Sequence, residues 1–397
     1  MLLGSFFSVI FSPYTLFLCV VGVVLGISIG ILPGLNASMG IAVLLPLAYV
    51  FEPAPAMVFF FGIYAGAIYG GSISAILINA PGTTAAVATS FDGYPMTQKG
   101  EAGRALGMAL FGSGVGGIAS VLALVFIAPL IADVALKFGP AEYFGLMVLG
   151  LSLVSTVSTD TPIKSFIGVF FGLLISSIGL DPIIGVPRYN FNTMQLMNGV
   201  DFLIVLIGMF ALSTVFINIE RSMKDETKYY GEITSQLPSL KDIKRVWRIL
   251  VSGSILGTFV GALPGAGATI SSSINYGVAK NISKYPEEFG NGSIEGVCAA
   301  ETGNNGAAGG AMIPMLTMGI PGSGSTAVML GALMILGLTP GPLLFERQAP
   351  LVYEMFGGFF LANIIFMIVG LVGIKLFVKV LKIPNAILFP TVIIFTV

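Results

Sequence analysis

The residues best placed to do chemistry sit around four Pro-Gly pairs. Asn79-Ala80-Pro81-Gly82-Thr83-Thr84 and Gly319-Ile320-Pro321-Gly322-Ser323-Gly324-Ser325-Thr326 each set hydroxyls directly behind a helix breaker. Upstream of each lies another such element: Gly30-Ile31-Leu32-Pro33-Gly34-Leu35-Asn36, with Ser38 next, and Gly261-Ala262-Leu263-Pro264-Gly265-Ala266-Gly267. A helix broken at Pro-Gly exposes unpaired N–H groups at the start of the following half-helix, where the helix dipole also favours negative charge. Such a break can hold a carboxylate without a formal charge, and the hydroxyls of Thr83, Thr84, Ser323, Ser325 and Thr326 would add donors. The carbonyls just before the breaks could coordinate sodium, since hard cations prefer oxygen.

The candidate substrate-binding residues are therefore Asn36, Ser38, Asn79, Pro81, Gly82, Thr83, Thr84, Gly265, Gly267, Pro321, Gly322, Ser323, Ser325 and Thr326. Asn304 and Asn305 join them as binding or hairpin-tip residues, because buried amides need partners. Glu301, flanked by small residues, is a candidate for coupling transport to protons or ions, with a solvated place at the membrane interface as the alternative. Small residues in membrane helices usually serve close packing, and Ser or Thr often bond back to their own helix; it is the duplication of the Pro-Gly-polar pattern that favours a site. Tyr64, Tyr69 and Gly70-Gly71-Ser72 form a polar-small face that packing explains as well as a pathway does. Asp160 and Lys164 read as a loop pair, and Cys19 and Cys298 as packing residues. No catalytic residue is expected.

These residues need elements that hold them at membrane depth. The chain has 397 residues, 55% hydrophobic and 9% charged, against roughly a quarter charged in a globular domain. That predicts an all-α polytopic membrane protein, because only a helix satisfies its own backbone across the hydrocarbon core. With 52 Gly and 22 Pro, many helices should be broken or re-entrant. About ten embedded segments are expected. Apolar stretches run over 14–32, 36–50 (a half-helix) and 57–80, then, after a polar loop over 92–104, to about residue 132; others centre near Val148, Phe171 and Ile207. After a polar loop around 280–295, further spans cover 326–338 and 357–372.

The expected organisation is a first membrane repeat over 1–219, a polar linker over 220–248 and a second repeat over 249–397. The linker carries Arg221, Lys224, Lys228, Lys241, Lys244, Arg245 and Arg248, which the positive-inside rule assigns to the cytoplasm. Paired Gly/Pro interruptions commonly mark repeats of inverted topology, although loop charge does not establish inversion here. The N-terminal stretch lacks a basic n-region and reads as retained membrane structure rather than a cleaved leader. The apolar run 386–397 is too short to span, so a further C-terminal portion is expected.

Other functions find less support. A net charge of −1 without a basic stripe excludes nucleic acid as a partner. An ATP-driven permease would need a separate ATPase, because Gly322-Ser323-Gly324-Ser325 lacks the lysine of a phosphate loop. An intramembrane enzyme would have to work without histidine, of which there is none. A channel would carry rings of carbonyls or charges, and nothing repeats that way.

The chain resembles the large membrane subunit of the tripartite tricarboxylate transporters over essentially its whole length. Beside the four Pro-Gly elements, the resemblance rests on Tyr69-Gly70-Gly71-Ser72, Asp92-Gly93-Tyr94-Pro95, Lys99-Gly100-Glu101-Ala102, Ser283-Lys284-Tyr285-Pro286-Glu287, Phe289-Gly290, Glu295-Gly296-Val297 and Asn304-Asn305. It implies a multi-pass bacterial inner-membrane secondary transporter, in contact with lipid, that works with a small four-helix membrane subunit. It also implies a periplasmic solute-binding protein that delivers a small carboxylate, tricarboxylates such as citrate being the founding class. A sodium or proton gradient, and no cofactor, would drive uptake. Glu301-Thr302-Gly303 departs from the Glu-Ala-Ala usual in that family, which puts the local shape of the second half in question.

Overall fold

A computed structural model describes residues 2–157, 162–181, 185–222, 236–381, 390 and 393–394. The first half of the chain forms α1 (Leu2–Phe11), α2 (Pro13–Gly30), α3 (Ala37–Leu44), α4 (Pro53–Ile78), α5 (Val87–Gln98), α6 (Ala102–Ala135), α7 (Pro140–Val157) and α8 (Pro162–Ser176). Two-residue strands β1 (Gly179–Leu180) and β2 (Pro187–Arg188) pair antiparallel. Then α9 (Phe202–Leu206) runs through a π-helical turn, Ile207–Leu212, into α10 (Ser213–Ser222). The second half contributes α11 (Leu240–Gly261), α12 (Gly267–Ile282), α13 (Ile294–Met318), α14 (Gly324–Ile335), α15 (Pro342–Arg347) and α16 (Ala349–Val380). Among the described residues, α2, α4, α6 and α16 are long and apolar enough to cross a membrane.

The core is built on α4 and α13. Every residue from Ala54 to Leu77 and from Ile294 to Thr317 is buried. Their neighbours approach closely because glycine removes the side chain at the crossing. A Cβ on Gly22, Gly26 or Gly30 of α2 would lie 2.3, 2.4 or 2.1 Å from the carbonyl oxygens of Phe59, Ile63 and Ala67 in α4. In the second half, a Cβ on Gly257 or Gly261 of α11 would lie 2.9 or 2.4 Å from the oxygens of Gly303 and Ala307 in α13.

This correspondence continues along the chain. Gly34 and Gly265, after the first break of each half, have φ of 85° and 83°. Asn79 and Gly319, ending α4 and α13, are left-handed at 53° and 70°. Gly82 packs against Gly71, eleven positions before it, and against Gly30; Gly322 packs against Ala311, likewise eleven positions before it, and against Gly261. Flanking helices follow suit: Gly112 of α6 packs against Cys298 of α13, and Gly358 of α16 against Val58 of α4. Where α6 and α16 meet, Gly117 faces Asn363, Gly114 faces Met367 and Leu110 faces Gly370, so these two helices cross in opposite directions.

Several sequence expectations change. The 92–104 segment is not a polar loop: α5 continues to Gln98 and α6 begins at Ala102. Asp92 tolerates burial within α5 because its Oδ1 accepts N–H bonds from Gly290, Gly292 and Ser293 at 2.8, 2.9 and 2.8 Å. The basic stretch is helical from Leu240, opened by a reciprocal Ser239–Asp242 cap, so Lys241, Lys244, Arg245 and Arg248 lie on the first turns of α11. The rest of the linker between Ser222 and Gln236 falls outside the described residues, as do Asp160 and most of the 386–397 run; Lys164 is exposed on α8. The 36–50 stretch is the short helix expected, α3 followed by a 3-10 turn over Leu45–Tyr49. Cys19 and Cys298 are buried and free.

Candidate functional site

Each break ends one helix and leads into another through a turn that mixes buried, half-buried and exposed residues. After α2, Asn36 caps α3, its Oδ1 accepting the Met39 N–H at 2.9 Å. After α4, the chain turns at Asn79, passes Pro81-Gly82-Thr83 and enters a 3-10 turn, Thr84–Ala86, that runs into α5. After α11, Gly265 and Gly267 take positive φ before α12. After α13, Ser323 and Thr326 cap α14 reciprocally. The Gly82 N–H donates to the Gly71 carbonyl at 3.2 Å, and a Cβ on Gly82 would stand 1.9 Å from the Gly30 oxygen. The Pro-Gly tips are thus wedged against the other break of the same half.

The breaks also meet across the halves. Ser38, behind the first, lies 3.0 Å from Ser325, behind the fourth. Thr269, behind the third, lies 2.7 Å from Thr84, behind the second. The exchange is reciprocal, each half offering one hydroxyl from its first break and one from its second. Ser272 of α12 adds a bond to the Ala85 carbonyl at 2.9 Å. Thr269 and Ser272 were not among the expected residues; the hydroxyl-rich Thr269-Ile270-Ser271-Ser272-Ser273 following the third break was the available signal.

The candidates divide on this geometry. Ser38 pairs with Ser325 and Thr84 with Thr269 across the halves, while the Gly82 and Gly322 turns pack on Gly30 and Gly261 within them. Asn79 is an exposed helix terminus, Asn36 is committed to its cap, and Ser323 and Thr326 bond each other. Asn304 and Asn305 are not hairpin tips: both lie fully inside α13, where the chain is helical from Ile294 to Met318. Asn305 donates to the Glu301 carbonyl at 3.1 Å. Neither polar atom of Asn304 finds a partner among the described residues, nor does the buried Thr83 hydroxyl. The Tyr64 phenol, by contrast, interacts with Ser323.

Glu301 is fully buried, so the solvated interfacial placement is overturned. Ser72 of α4 donates to its Oε1 at 2.6 Å, Thr89 of α5 donates to the same oxygen, and Ser113 of α6 donates to Oε2 at 2.7 Å. Thr89 and Ser113 were missed because isolated hydroxyls in apolar helices look like back-bonded packing residues. The departure at Thr302-Gly303 has a local reason. Thr302 bonds back to the Cys298 carbonyl at 2.7 Å, and a Cβ on Gly303 would overlap Asn275, 2.4 Å from its Nδ2. The glycine therefore admits a buried amide from α12.

Ion pairs tie the polar ends of the helices. Arg104 reaches Asp242 at 2.5 Å and Glu101 at 3.0 Å, and Arg245 reaches Glu288 at 2.6 Å and Glu295 at 2.8 Å, with its guanidinium 4.4 Å from the centre of the Tyr285 ring. Among the described residues, no group of three or more Cys, Asp or Glu side chains could hold a metal ion.

Comparison with known proteins places this architecture. The family model described as "Tripartite tricarboxylate transporter TctA family" matches residues 16–397. An uncharacterized 52.8 kDa protein in the TAR-I ttuC' 3' region of Agrobacterium vitis is 39% identical over 389 residues, covering 98% of this chain and 77% of that protein. An uncharacterized protein in the TAR-II ttuC' 3' region of the same organism is 42% identical over 139 residues, covering 35% of this chain and 57% of that protein. No solved structure matches the chain.

Proposed function

As the chain belongs to the tripartite tricarboxylate transporter TctA family, a family of multi-pass membrane transport components, we propose that it is the permease through which a small carboxylate is taken up by ion-coupled alternating access. The observation that carries this reading is the meeting of four broken helices, with hydroxyls from both halves crossing at Ser38–Ser325 and Thr84–Thr269. Broken helices at a repeat interface are where secondary transporters bind their solutes.

The two halves, 1–219 and 249–397, act as inverted repeats. Support comes from the crossing of α6 and α16. These helices hold corresponding places, α6 beside α13 and α16 beside α4, yet run in opposite directions where they meet. A second support is the contact between Ser72 and Glu301. Matched spacing pairs Ser72 with Met312, eleven positions beyond Glu301. Halves of the same orientation would set Ser72 about 16 Å from Glu301 along the helix axis, at about 1.5 Å per residue.

The solute's carboxylate binds between the breaks, held by Thr83, Thr84, Ser38 and Ser325 with Asn304 behind them. Thr83 and Asn304 have polar atoms unused among the described residues, whereas Ser323 and Thr326 satisfy each other. The permease works in a bacterial inner membrane with a small four-helix subunit and a periplasmic binding protein that hands over the solute. The test is uptake of labelled citrate and simpler dicarboxylates into proteoliposomes holding the permease and small subunit, with and without the binding protein, under sodium, proton or no gradient. Gradient-driven accumulation that requires the binding protein is expected; uptake only on addition of ATP and soluble extract would overturn it.

A further inference from the structure

The Glu301 cluster has a counterpart of opposite character. By the spacing that matches Gly71 with Ala311 and Gly82 with Gly322, Glu301 corresponds to Phe61, Ser72 to Met312 and Thr89 to Met329. By the spacing that matches Gly112 with Gly358, Ser113 corresponds to Phe359. The contacts correspond as well: Ser113 bonds Glu301 at 2.7 Å, and the Phe359 ring lies 5.1 Å from the Phe61 ring. All eight side chains are buried. One framework thus fills the same place once with hydrocarbon and once with a carboxylic acid and three hydroxyls.

Packing does not account for that difference, since Phe61, Met312, Met329 and Phe359 already show that apolar side chains close the position. Burying an ionisable group costs several kcal/mol unless it is compensated, and at membrane depth such groups mark ion or proton pathways. Among the described residues, no cationic side chain pairs with this one; its partners are the three hydroxyls. Beside it stand Tyr69 of α4, whose hydroxyl has no hydrogen-bond partner among the described residues, and Cys298 of its own helix. On α5 and α6 the nearest charged residues, Asp92 and Arg104, are engaged with the 290–293 amides and with Asp242. The charges of α11 and α12 (Lys241, Asp242, Lys244, Arg245, Arg248 and Lys280) occupy their polar end turns, α14 has none, and Glu346 and Arg347 of α15 are exposed.

The geometry points to Glu301 as the proton-coupling site of the permease: a carboxyl that takes up a proton from one side, carries it in the closed arrangement as the neutral acid, and releases it to the other. This rests on the transport reading above and names the ion. A proton fits better than sodium because each carboxylate oxygen is already bonded directly by a hydroxyl, which can donate to the anion or accept from the acid without moving. Coupling follows from where the hydroxyls sit. Ser72 and Thr89 are on the two arms of the Asn79–Thr83 hairpin, α4 and α5, so a change of charge on Glu301 changes how that hairpin is held.

The test pairs a transport measurement with a spectroscopic one. In proteoliposomes, wild-type permease with its partner subunits is expected to accumulate carboxylate under an inward proton gradient. Glu301→Gln, which keeps shape and hydrogen bonding, is expected to lose gradient-driven accumulation at least tenfold while retaining solute exchange. Separately, infrared spectra of the purified permease in lipid are expected to show a buried protonated-carboxyl band absent from Glu301→Gln. An unchanged band in Glu301→Gln, full proton-driven accumulation by that variant, or wild-type accumulation driven by sodium alone would each overturn the proposal. If wild type moves no carboxylate at all, the transport reading fails, and the carboxyl band alone decides whether Glu301 holds a proton.

Discussion

The hydroxyls of Ser38 and Ser325 lie 3.0 Å apart, joining the first break of one half to the last break of the other. A hydroxyl pair of this kind contributes about 1 kcal/mol, too little to weld the halves together. A contact of that strength can be made and released if the halves move.

If the halves move, tying that contact should stop them. Ser38→Cys with Ser325→Cys is expected to form a disulfide under mild oxidant, because the side-chain oxygens already approach closely. Native Cys19 and Cys298 are buried and should remain inert. Transport should fall to background on oxidation and return on reduction; full transport by the oxidised double variant, with crosslinking checked by mass spectrometry, would argue against motion at this interface.

Thr83→Ala and Ser323→Ala should separate binding from stability. The Thr83 hydroxyl has no partner among the described residues, so its loss should leave stability within about 0.5 kcal/mol and weaken carboxylate binding about 2–10-fold, the value of one hydrogen bond. Ser323 caps α14, and Ser323→Ala should cost roughly 1 kcal/mol of stability. Thermal unfolding in detergent and equilibrium binding on the same samples would show both.

Gly82→Ala should be among the most damaging conservative changes. Its Cβ would stand 1.9 Å from the Gly30 carbonyl oxygen, a backbone atom that cannot step aside. A loss of about 3 kcal/mol or more is expected, read as a fall in monodisperse protein recovered by size exclusion. Gly277→Ala is the control: a Cβ there meets nothing within 4 Å, and the better helix former should be neutral or stabilising by up to about 1 kcal/mol.

Asp92→Ala removes one acceptor from three N–H groups at once. Bonds to a charged acceptor are worth roughly 1.5–3 kcal/mol each, so the loop before α13 should loosen. Hydrogen exchange at Gly290, Gly292 and Ser293 is expected to accelerate at least tenfold, whereas Asp133→Ala, away from this loop, should leave those amides unchanged.

Much of the fold could be read in the chain before any contact was known. Low charge and long apolar runs pointed to membrane helices, because a helix is the structure in which one continuous apolar segment satisfies its own backbone in hydrocarbon. The four Pro-Gly elements located the breaks, because proline removes a donor and glycine permits both the φ near +80° of Gly34 and Gly265 and the close backbone approach of Gly82 and Gly322. What these local rules could not supply was partnership. Asp92 looked like a loop residue because its three compensating amides lie about 200 positions further on. Glu301 looked as much interfacial as buried because Ser72, Thr89 and Ser113 come from three other helices. Asn304 and Asn305 looked like a hairpin tip because two consecutive amides are unusual inside an apolar helix, and only the close packing of α6, α11 and α12 around α13 buries them there. Burial, and the pairing that makes it tolerable, is a property of neighbours distant along the chain; the tertiary structure alone decided which polar residues the core would enclose.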